Sequence, residues 1–302
     1  MKFEVTILGS SSATPIFNRH PTSQLVNVHD TFILIDCGES TQMQLLRYGI
    51  KPGKIEHILI SHLHGDHYLG LIGLLSSMNL NGRKESVFLY GPKGLDQLLE
   101  LHFSLSCTQI KYPLLFKETK LEKEVIIDMD SFYVETIPIS HSITCTGFKI
   151  SEKPRSLKLK KHIVQDLNIP VELLAGIKEG NDYINPAGEI YKNTELTDIP
   201  PLPRSYAFYS DTKYLPESIC YIKGISTLYH ESTFTNEMSE RAALTYHSTA
   251  EQAALMARAA GAEKLLIGHF SARYRDLNPI LEEAMAVFPN TKLAIEGLTF
   301  QI

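Results

Sequence analysis

Four side chains able to hold a metal ion fall within six residues of this chain, in the stretch Ser61-His62-Leu63-His64-Gly65-Asp66-His67. Imidazole nitrogens and a carboxylate oxygen are donors that suit Zn²⁺ and similar divalent ions, and neighbours this close can be aimed at different ions. The run before them, Ile55 to Ile60, is rich in Ile and Leu and reads as a buried strand. The run after them, Gly70-Leu71-Ile72-Gly73-Leu74-Leu75, opens an apolar helix. The donors therefore occupy a tight turn from strand to helix. A merely solvated histidine-rich loop would not be bounded by apolar segments on both sides.

Other donors stand at the exits of other strands. Phe132 to Ile139 alternates as a strand and delivers His141; Tyr206 to Tyr209 delivers Asp211. Thr227 to Tyr229 delivers His230, and Lys264 to Ile267 delivers His269. In layered α/β proteins such exits converge at one edge of a sheet, where functional groups gather. A single strand-end histidine is more often structural, but together with the His-rich turn the set reads as a metal centre. Two divalent ions about 3.5–4 Å apart need a shared carboxylate. Asp211, isolated at the end of an apolar strand, is the natural bridge. Asp36, at the end of Thr31 to Asp36, is either a helix cap or a group that orients a ligand histidine.

The remaining elements make a layered α/β protein. Met1 to Gly9 alternates as a strand and runs into the small-residue loop Gly9 to Pro15. A strand at Ser23 to Val28 and a helix at Thr41 to Tyr48 flank the Thr31 to Asp36 strand. A helix near Tyr68 to Asn79, a strand at Ser86 to Tyr90 and a helix after Gly91-Pro92 follow, and Lys111 to Glu124 reads as a connection. Later, Thr249 to Ala260 is a helix capped by Ser248 or Thr249 and stopped by Gly261. A helix near Pro279 to Val287 and a strand at Thr291 to Glu296 close the chain. Ser151 to Arg204 differs: turn signals crowd it, and it reads as an inserted arm with one short helix near Ser156 to Leu167, outside the core.

Composition bounds the class. The 302 residues are 43% hydrophobic and 21% charged, as in ordinary soluble globular proteins. No run of about 18 apolar residues is present, so no membrane span is expected. The N-terminus lacks the apolar core of a signal peptide, which predicts a cytoplasmic protein. The four cysteines, Cys37, Cys107, Cys145 and Cys220, are scattered without C-x-x-C spacing and read as free thiols. A net charge of −5 argues against a protein that coats nucleic acid over its whole surface, while leaving room for a local basic patch.

The His62-x-His64-x-Asp66-His67 turn resembles the H-x-H-x-D-H motif of the metallo-β-lactamase superfamily. Its Ser-His-Leu-His-Gly-Asp-His form resembles ribonuclease Z, the family of endonucleases that trim tRNA 3′ ends. His230-Glu231-Ser232-Thr233-Phe234, Tyr246-His247-Ser248-Thr249 and Gly268-His269-Phe270-Ser271-Ala272-Arg273-Tyr274 resemble further motifs of that family, in the same order. The resemblance implies one four-layer αββα sandwich domain over residues 1–302, with a flexible substrate-binding arm inserted at 151–204. It implies two Zn²⁺ per subunit, although the donors also suit Mn²⁺ or Fe²⁺. His62, His64 and His141 would hold the first ion, Asp66, His67 and His269 the second, and Asp211 both. By the same resemblance Asp66 is the candidate general base, His247 the general acid, and Glu231 the residue that sets the working tautomer of His247. It also favours the orienting role for Asp36.

For substrate, the resemblance assigns Arg273 to a phosphate or a neighbouring carboxylate, and Lys158, Lys160 and Lys161 of the arm to the tRNA. Taken alone these are ordinary surface charges. The family's Gly-Pro-rich arm tip is replaced by Ile169-Pro170-Val171-Glu172, and its Pro-x-Lys-x-Arg-Asn loop by Pro15-Ile16-Phe17-Asn18-Arg19-His20-Pro21. The implied function is zinc-dependent endonucleolytic removal of 3′ trailers from tRNA precursors, leaving a 3′-hydroxyl. The family acts as a homodimer, and neither membrane nor DNA is an expected partner. The alternative is a phosphodiesterase of the same fold acting on another nucleic acid or a small phosphodiester. A non-catalytic relative should have lost ligands, yet all seven positions carry competent residues.

Overall fold

The apolar runs are nearly continuous because most strands are covered on both faces. Along Thr31–Ile35, the side chains of Ile33 and Ile35 enter one buried cluster and Leu34 another. Along Ser205–Tyr209, Tyr206 and Phe208 point one way and Ala207 and Tyr209 the other. This period of two builds three apolar layers. One lies between two sheets, and each of the others lies between a sheet and its helices. A computed structural model describes residues 1–16 and 18–302; Phe17, in the loop that departs from the family pattern, lies outside the described residues.

Among the described residues each of the two large sheets has seven strands. The first runs in the order Thr299–Gln301, Phe3–Gly9, Ser23–Val28, Thr31–Ile35, Ile55–Leu59, Val87–Gly91, Leu114–Glu118. The second runs Thr291–Leu293, Lys264–Gly268, Thr227–Glu231, Ser205–Tyr209, Thr146–Glu152, Phe132–Pro138, Val125–Asp128. Thr41–Arg47, Leu71–Leu80 and Leu95–Leu105 cover the first sheet, and Ala250–Ala260 and Asn278–Val287 the second. This is the expected αββα arrangement. Thr249 starts the Ala250–Ala260 helix: its Oγ1 accepts the Gln252 N–H at 3.2 Å, and the Gln252 side chain accepts the Thr249 N–H in return at 3.0 Å. Gly261 stops that helix at φ 65°, a left-handed conformation that costs glycine little.

Parallel pairing is what gathers the donors. Thr31–Ile35 and Ile55–Leu59 are parallel neighbours, so Asp36 and the His62–His67 turn leave the sheet side by side. Ser205–Tyr209, Thr227–Glu231 and Lys264–Gly268 are also successive parallel neighbours, which brings Asp211, Glu231 and His269 to one edge.

Several elements differ from expectation. Leu114–Glu118, read as connection, is a parallel edge strand beside Val87–Gly91; its exposed Lys117 and Glu118 are common on edges and hid the pattern. Val125–Asp128, Thr146–Glu152 and Thr299–Gln301 are further strands that the sequence did not signal. The strand expected over Thr291 to Glu296 stops at Leu293.

Glu152–Pro203 forms a compact unit of its own, apart from the unit made by Met1–Ser151 and Arg204–Ile302. Its first helix is Lys161–Asp166, shorter than the expected Ser156 to Leu167, and Val171–Lys178 is a second. Lys158–Leu159 pairs with Thr197–Asp198, and Tyr183–Ile184 with Ile190–Tyr191. Buried Ile169, Ile177, Tyr183 and Leu196 give the unit a small core, too dispersed in sequence to register as a periodic run.

The core between the sheets gives a direct stability test. The rings of fully buried Phe208 and Tyr229 stack with centroids 5.2 Å apart and planes 3° from parallel. Phe208→Ala is expected to cost about 3–5 kcal/mol, through lost burial and the cavity left behind. Urea unfolding should show a lower midpoint with an unchanged slope.

Candidate metal centre

Among the described residues, four overlapping groups of metal-capable donors converge at the strand exits. Two of them include His247, with His141 and Asp211 and with Glu231 and His269, and the other two hold the expected ligands. In the first of these two, His62 Nε2 lies 3.0 Å and His141 Nε2 3.1 Å from His64 Nδ1. In the second, His67 Nε2 lies 3.5 Å from Asp66 Oδ2 and 3.5 Å from Asp211 Oδ2. His269 Nε2 lies 3.1 Å from Asp211 Oδ1 and 3.6 Å from Asp66 Oδ2. Asp211 stands between the groups, because its Oδ2 is also 4.0 Å from His62 Nε2. Within each group the donor atoms lie within 4.8 Å of one another.

These side chains fit divalent ions. Among the described residues His67 Nε2 and His269 Nε2 are buried without a hydrogen-bond partner, an arrangement proteins avoid unless another group satisfies the atom. Burial, reinforced by the His67 charge, holds His62 well below the usual imidazole range, and burial also lowers His64 and His141. These rings are therefore neutral and offer lone pairs. Burial opposes charge on Asp66 and Asp211, but the surrounding histidines outweigh it and hold both carboxyls far below their ordinary range. Burial likewise opposes charge on His67, and the Asp211, Asp66 and Asp36 carboxylates more than reverse it. So dense an arrangement of anionic and basic groups is what a bound cation relieves.

The supporting groups come from distant parts of the chain. Asp36 is fully buried; its Oδ2 sits 2.7 Å from His67 Nδ1, and its Oδ1 accepts the Ser61 N–H at 2.8 Å. It caps no helix, so of its two readings the geometry has the orienting one. Asp66 Oδ2 accepts the Ala13 N–H at 2.7 Å, and His141 Nδ1 lies 3.1 Å from the Tyr246 carbonyl. Asp36, Tyr246 and His269 adopt φ of 56°, 58° and 58°. Left-handed backbone is unfavourable for such residues and persists where surrounding structure enforces it.

Beside the donors, His247 Nδ1 lies 3.0 Å from Glu231 Oε1. Burial disfavours charge on this imidazole, but the Glu231 carboxylate outweighs it and raises His247 to about 9. A cleft of about 430 Å³ opens over the site, lined by His64, Asp66, His141, Asp211, His247 and His269 together with Pro15, Pro21 and Leu69.

Other expected positions lie elsewhere. His230 does not join the donors: its ring packs 5.0 Å from that of Tyr209, and its Nδ1 is 2.7 Å from the Glu231 carbonyl. Strand parity puts it on the helix side with Leu228, while Tyr229 faces the other sheet. Arg273 is exposed on the turn after His269 and does not line the cleft. In the Glu152–Pro203 unit, Lys158 and Lys161 are exposed, whereas Lys160 Nζ donates to the Thr194 carbonyl at 3.1 Å. The Ser61 and Thr233 hydroxyls and the Ala13 N–H are site groups that sequence reading passed over. The first two lie inside recognised motifs, and the third is a backbone group with no sequence signal.

A family model described as "Anti-Pycsar protein Apyc1" matches residues 3–183, a span that leaves out Asp211, Glu231, His247 and His269. A ribonuclease Z from Bacteroides fragilis is 44% identical over 302 residues, covering 100% of this chain and 99% of that one. One from Cytophaga hutchinsonii is 47% identical over 305 residues, covering 100% and 97%. Among solved structures, human tRNase Z, short form, superposes with a TM-score of 0.70 at 22% identity, covering 98% of each chain. The metallo-β-lactamase fold protein YhfI from Bacillus subtilis gives 0.71 at 18% identity, covering 100% of each chain. The full-length relatives span both halves of the donor set, and on that ground the chain belongs to the ribonuclease Z family.

Proposed function

We propose that this protein is an endoribonuclease that removes 3′ trailers from tRNA precursors and leaves a 3′-hydroxyl. The observation that supports the reading is the approach of Asp211 to two groups of metal-capable donors, beside a His247–Glu231 pair, in a chain so similar throughout to ribonuclease Z. His62, His64 and His141 would hold one ion, Asp66, His67 and His269 a second, and Asp211 both. When bound, such ions supply Lewis acidity at a phosphoryl group and make water a competent nucleophile near neutral pH. Zn²⁺ suits the nitrogen-rich donor set, and Mn²⁺ and Fe²⁺ share its ligands.

The side chains do the rest. Asp66 is the cleft carboxylate placed to take a proton from attacking water. Its depressed proton affinity makes it a ligand first and a weak base second. Glu231 occupies His247 Nδ1, so Nε2–H is the proton His247 can give to the leaving 3′ oxygen. The acid form is the active one, and its affinity for the proton is raised. Cleavage should therefore persist below about pH 9 and fall as pH rises through that value. In Glu231→Gln the alkaline limb should move down toward an ordinary histidine, about 6.5. A pH profile of kcat for both proteins tests this; identical limbs would remove Glu231 from the role.

We read the Glu152–Pro203 unit as a tRNA-binding arm, supported by its exposed Lys158 and Lys161. Phosphate contacts need charge but no base-specific geometry. Lys158→Ala with Lys161→Ala should raise KM for precursor with little change in kcat, and lower the salt slope of binding by about one per lysine. An unchanged salt slope would exclude both from the interface. The homodimer, taken from the family resemblance, and the cytoplasmic location are further proposals; sedimentation at micromolar concentration tests the first, cell fractionation the second.

A second reading is a phosphodiesterase that acts on a small phosphodiester, favoured by the size of the cleft, which could seat one nucleotide. Side-by-side rates on a 3′-extended precursor and on a small phosphodiester distinguish the two.

A further inference from the structure

Thr233 lies between the acid pair and the second metal group, is 3% exposed, and has no role in the reaction as derived above. The donors around Glu231 determine its state. Glu231 Oε1 accepts the Thr212 N–H at 2.7 Å and lies 3.0 Å from His247 Nδ1. Its Oε2 accepts the Ser248 N–H at 3.1 Å, lies 3.2 Å from the same imidazole nitrogen, and takes a short hydrogen bond from the Thr233 hydroxyl. A buried carboxylate ringed by donors is an acceptor only, so the Thr233 proton must point to it.

That leaves the lone pairs of Thr233 Oγ1, and His269 Nδ1 lies 3.0 Å away. Only an Nδ1–H can bond to an oxygen whose own proton is committed elsewhere. A neutral imidazole carries one N–H, so His269 Nε2 is bare. This is the nitrogen aimed at Asp211 and Asp66, buried and, among the described residues, without a hydrogen-bond partner.

We infer that Thr233 is a positioning residue: its hydroxyl, oriented by Glu231, locks His269 in the tautomer that presents Nε2 to the second ion. One carboxylate thereby serves both halves of the site, holding His247 directly and His269 through a hydroxyl. The inference rests on the metal-site reading above, but not on the identity of the RNA substrate. Partners that orient a ligand histidine in this way typically contribute 10–100-fold in metal affinity. Thr233→Val keeps the shape and removes the hydroxyl; Thr233→Ser keeps the hydroxyl and removes a methyl.

The test titrates metal-depleted wild-type and variant proteins with Zn²⁺ against a competing indicator, with near-UV circular dichroism as a check on folding. In Thr233→Val the binding event assigned to Asp66, His67 and His269 should weaken 10–100-fold, while the event assigned to His62, His64 and His141 stays put. Thr233→Ser should bind within a few-fold of wild type. With ¹⁵N-labelled histidine, the loaded wild type should show His269 protonated on Nδ1. Equal affinity of Thr233→Val and wild type for both ions would overturn the inference, as would a Thr233→Ser variant as weak as Thr233→Val. A failure of the endonuclease reading alone registers differently, as an intact pattern of Zn²⁺ affinities in a protein that leaves precursor uncut.

Discussion

Asp211→Asn is expected to lower kcat for precursor cleavage by about 10³-fold or more and to strip divalent metal from the protein. Asp211 is 3% exposed and is the carboxylate that approaches both donor groups, within 4.0 Å of His62 and 3.1 Å of His269. Removing one preorganised electrostatic group from an active site typically costs about 10²–10³-fold. Here the loss should reach or exceed the upper end, because the same side chain stands within 4.0 Å of a donor in each group. The amide is nearly isosteric but less charged, and it points an N–H₂ at lone pairs that need a cation. Metal analysis by mass spectrometry, beside single-turnover cleavage, reads both effects. A variant that keeps two ions and more than a tenth of wild-type activity would contradict the bridging role.

His247→Ala should leave metal content and KM within a few-fold of wild type while kcat falls by about 10²–10⁴-fold, the usual contribution of a general acid. His247 Nδ1 lies 4.0 Å from Asp211 Oδ2, and the pairing that fixes its ring is with Glu231, not with a metal donor. Loss confined to kcat marks an interaction made in the transition state; loss confined to KM would mark a binding residue. A precursor with a better leaving group at the scissile phosphate needs the acid less, so the deficit should shrink on it. A deficit of equal size on both substrates would assign His247 a role other than proton donation.

The sequence disclosed those parts of the site that are local. His62, His64, Asp66 and His67 crowd one turn between apolar runs, and His141, Asp211 and His269 each end an apolar segment. Convergence of those ends follows from parallel pairing, a property of the fold class. The same reasoning failed for His230, which also ends a strand, because one step in register sends alternate side chains to opposite faces. Asp36 could not be assigned from sequence because its partner, His67, lies 31 residues away. The Ala13 N–H that binds Asp66 is 53 residues distant and carries no side-chain identity at all. The Leu114–Glu118 edge strand was obscured by its charges, and the small core of the Glu152–Pro203 unit by the spacing of its apolar residues.

The central claim is that the metal groups and the acid pair together cut a tRNA precursor after its mature 3′ end. Its most direct test is cleavage of a 3′-extended precursor, with the product end mapped at single-nucleotide resolution, by wild type and by Asp211→Ala. The account predicts a single metal-dependent cut just after the discriminator nucleotide, a 3′-hydroxyl on the tRNA product, and no cut by the variant. An intact precursor, with a small phosphodiester still hydrolysed by wild type and not by Asp211→Ala, would contradict the substrate while leaving the metal centre standing.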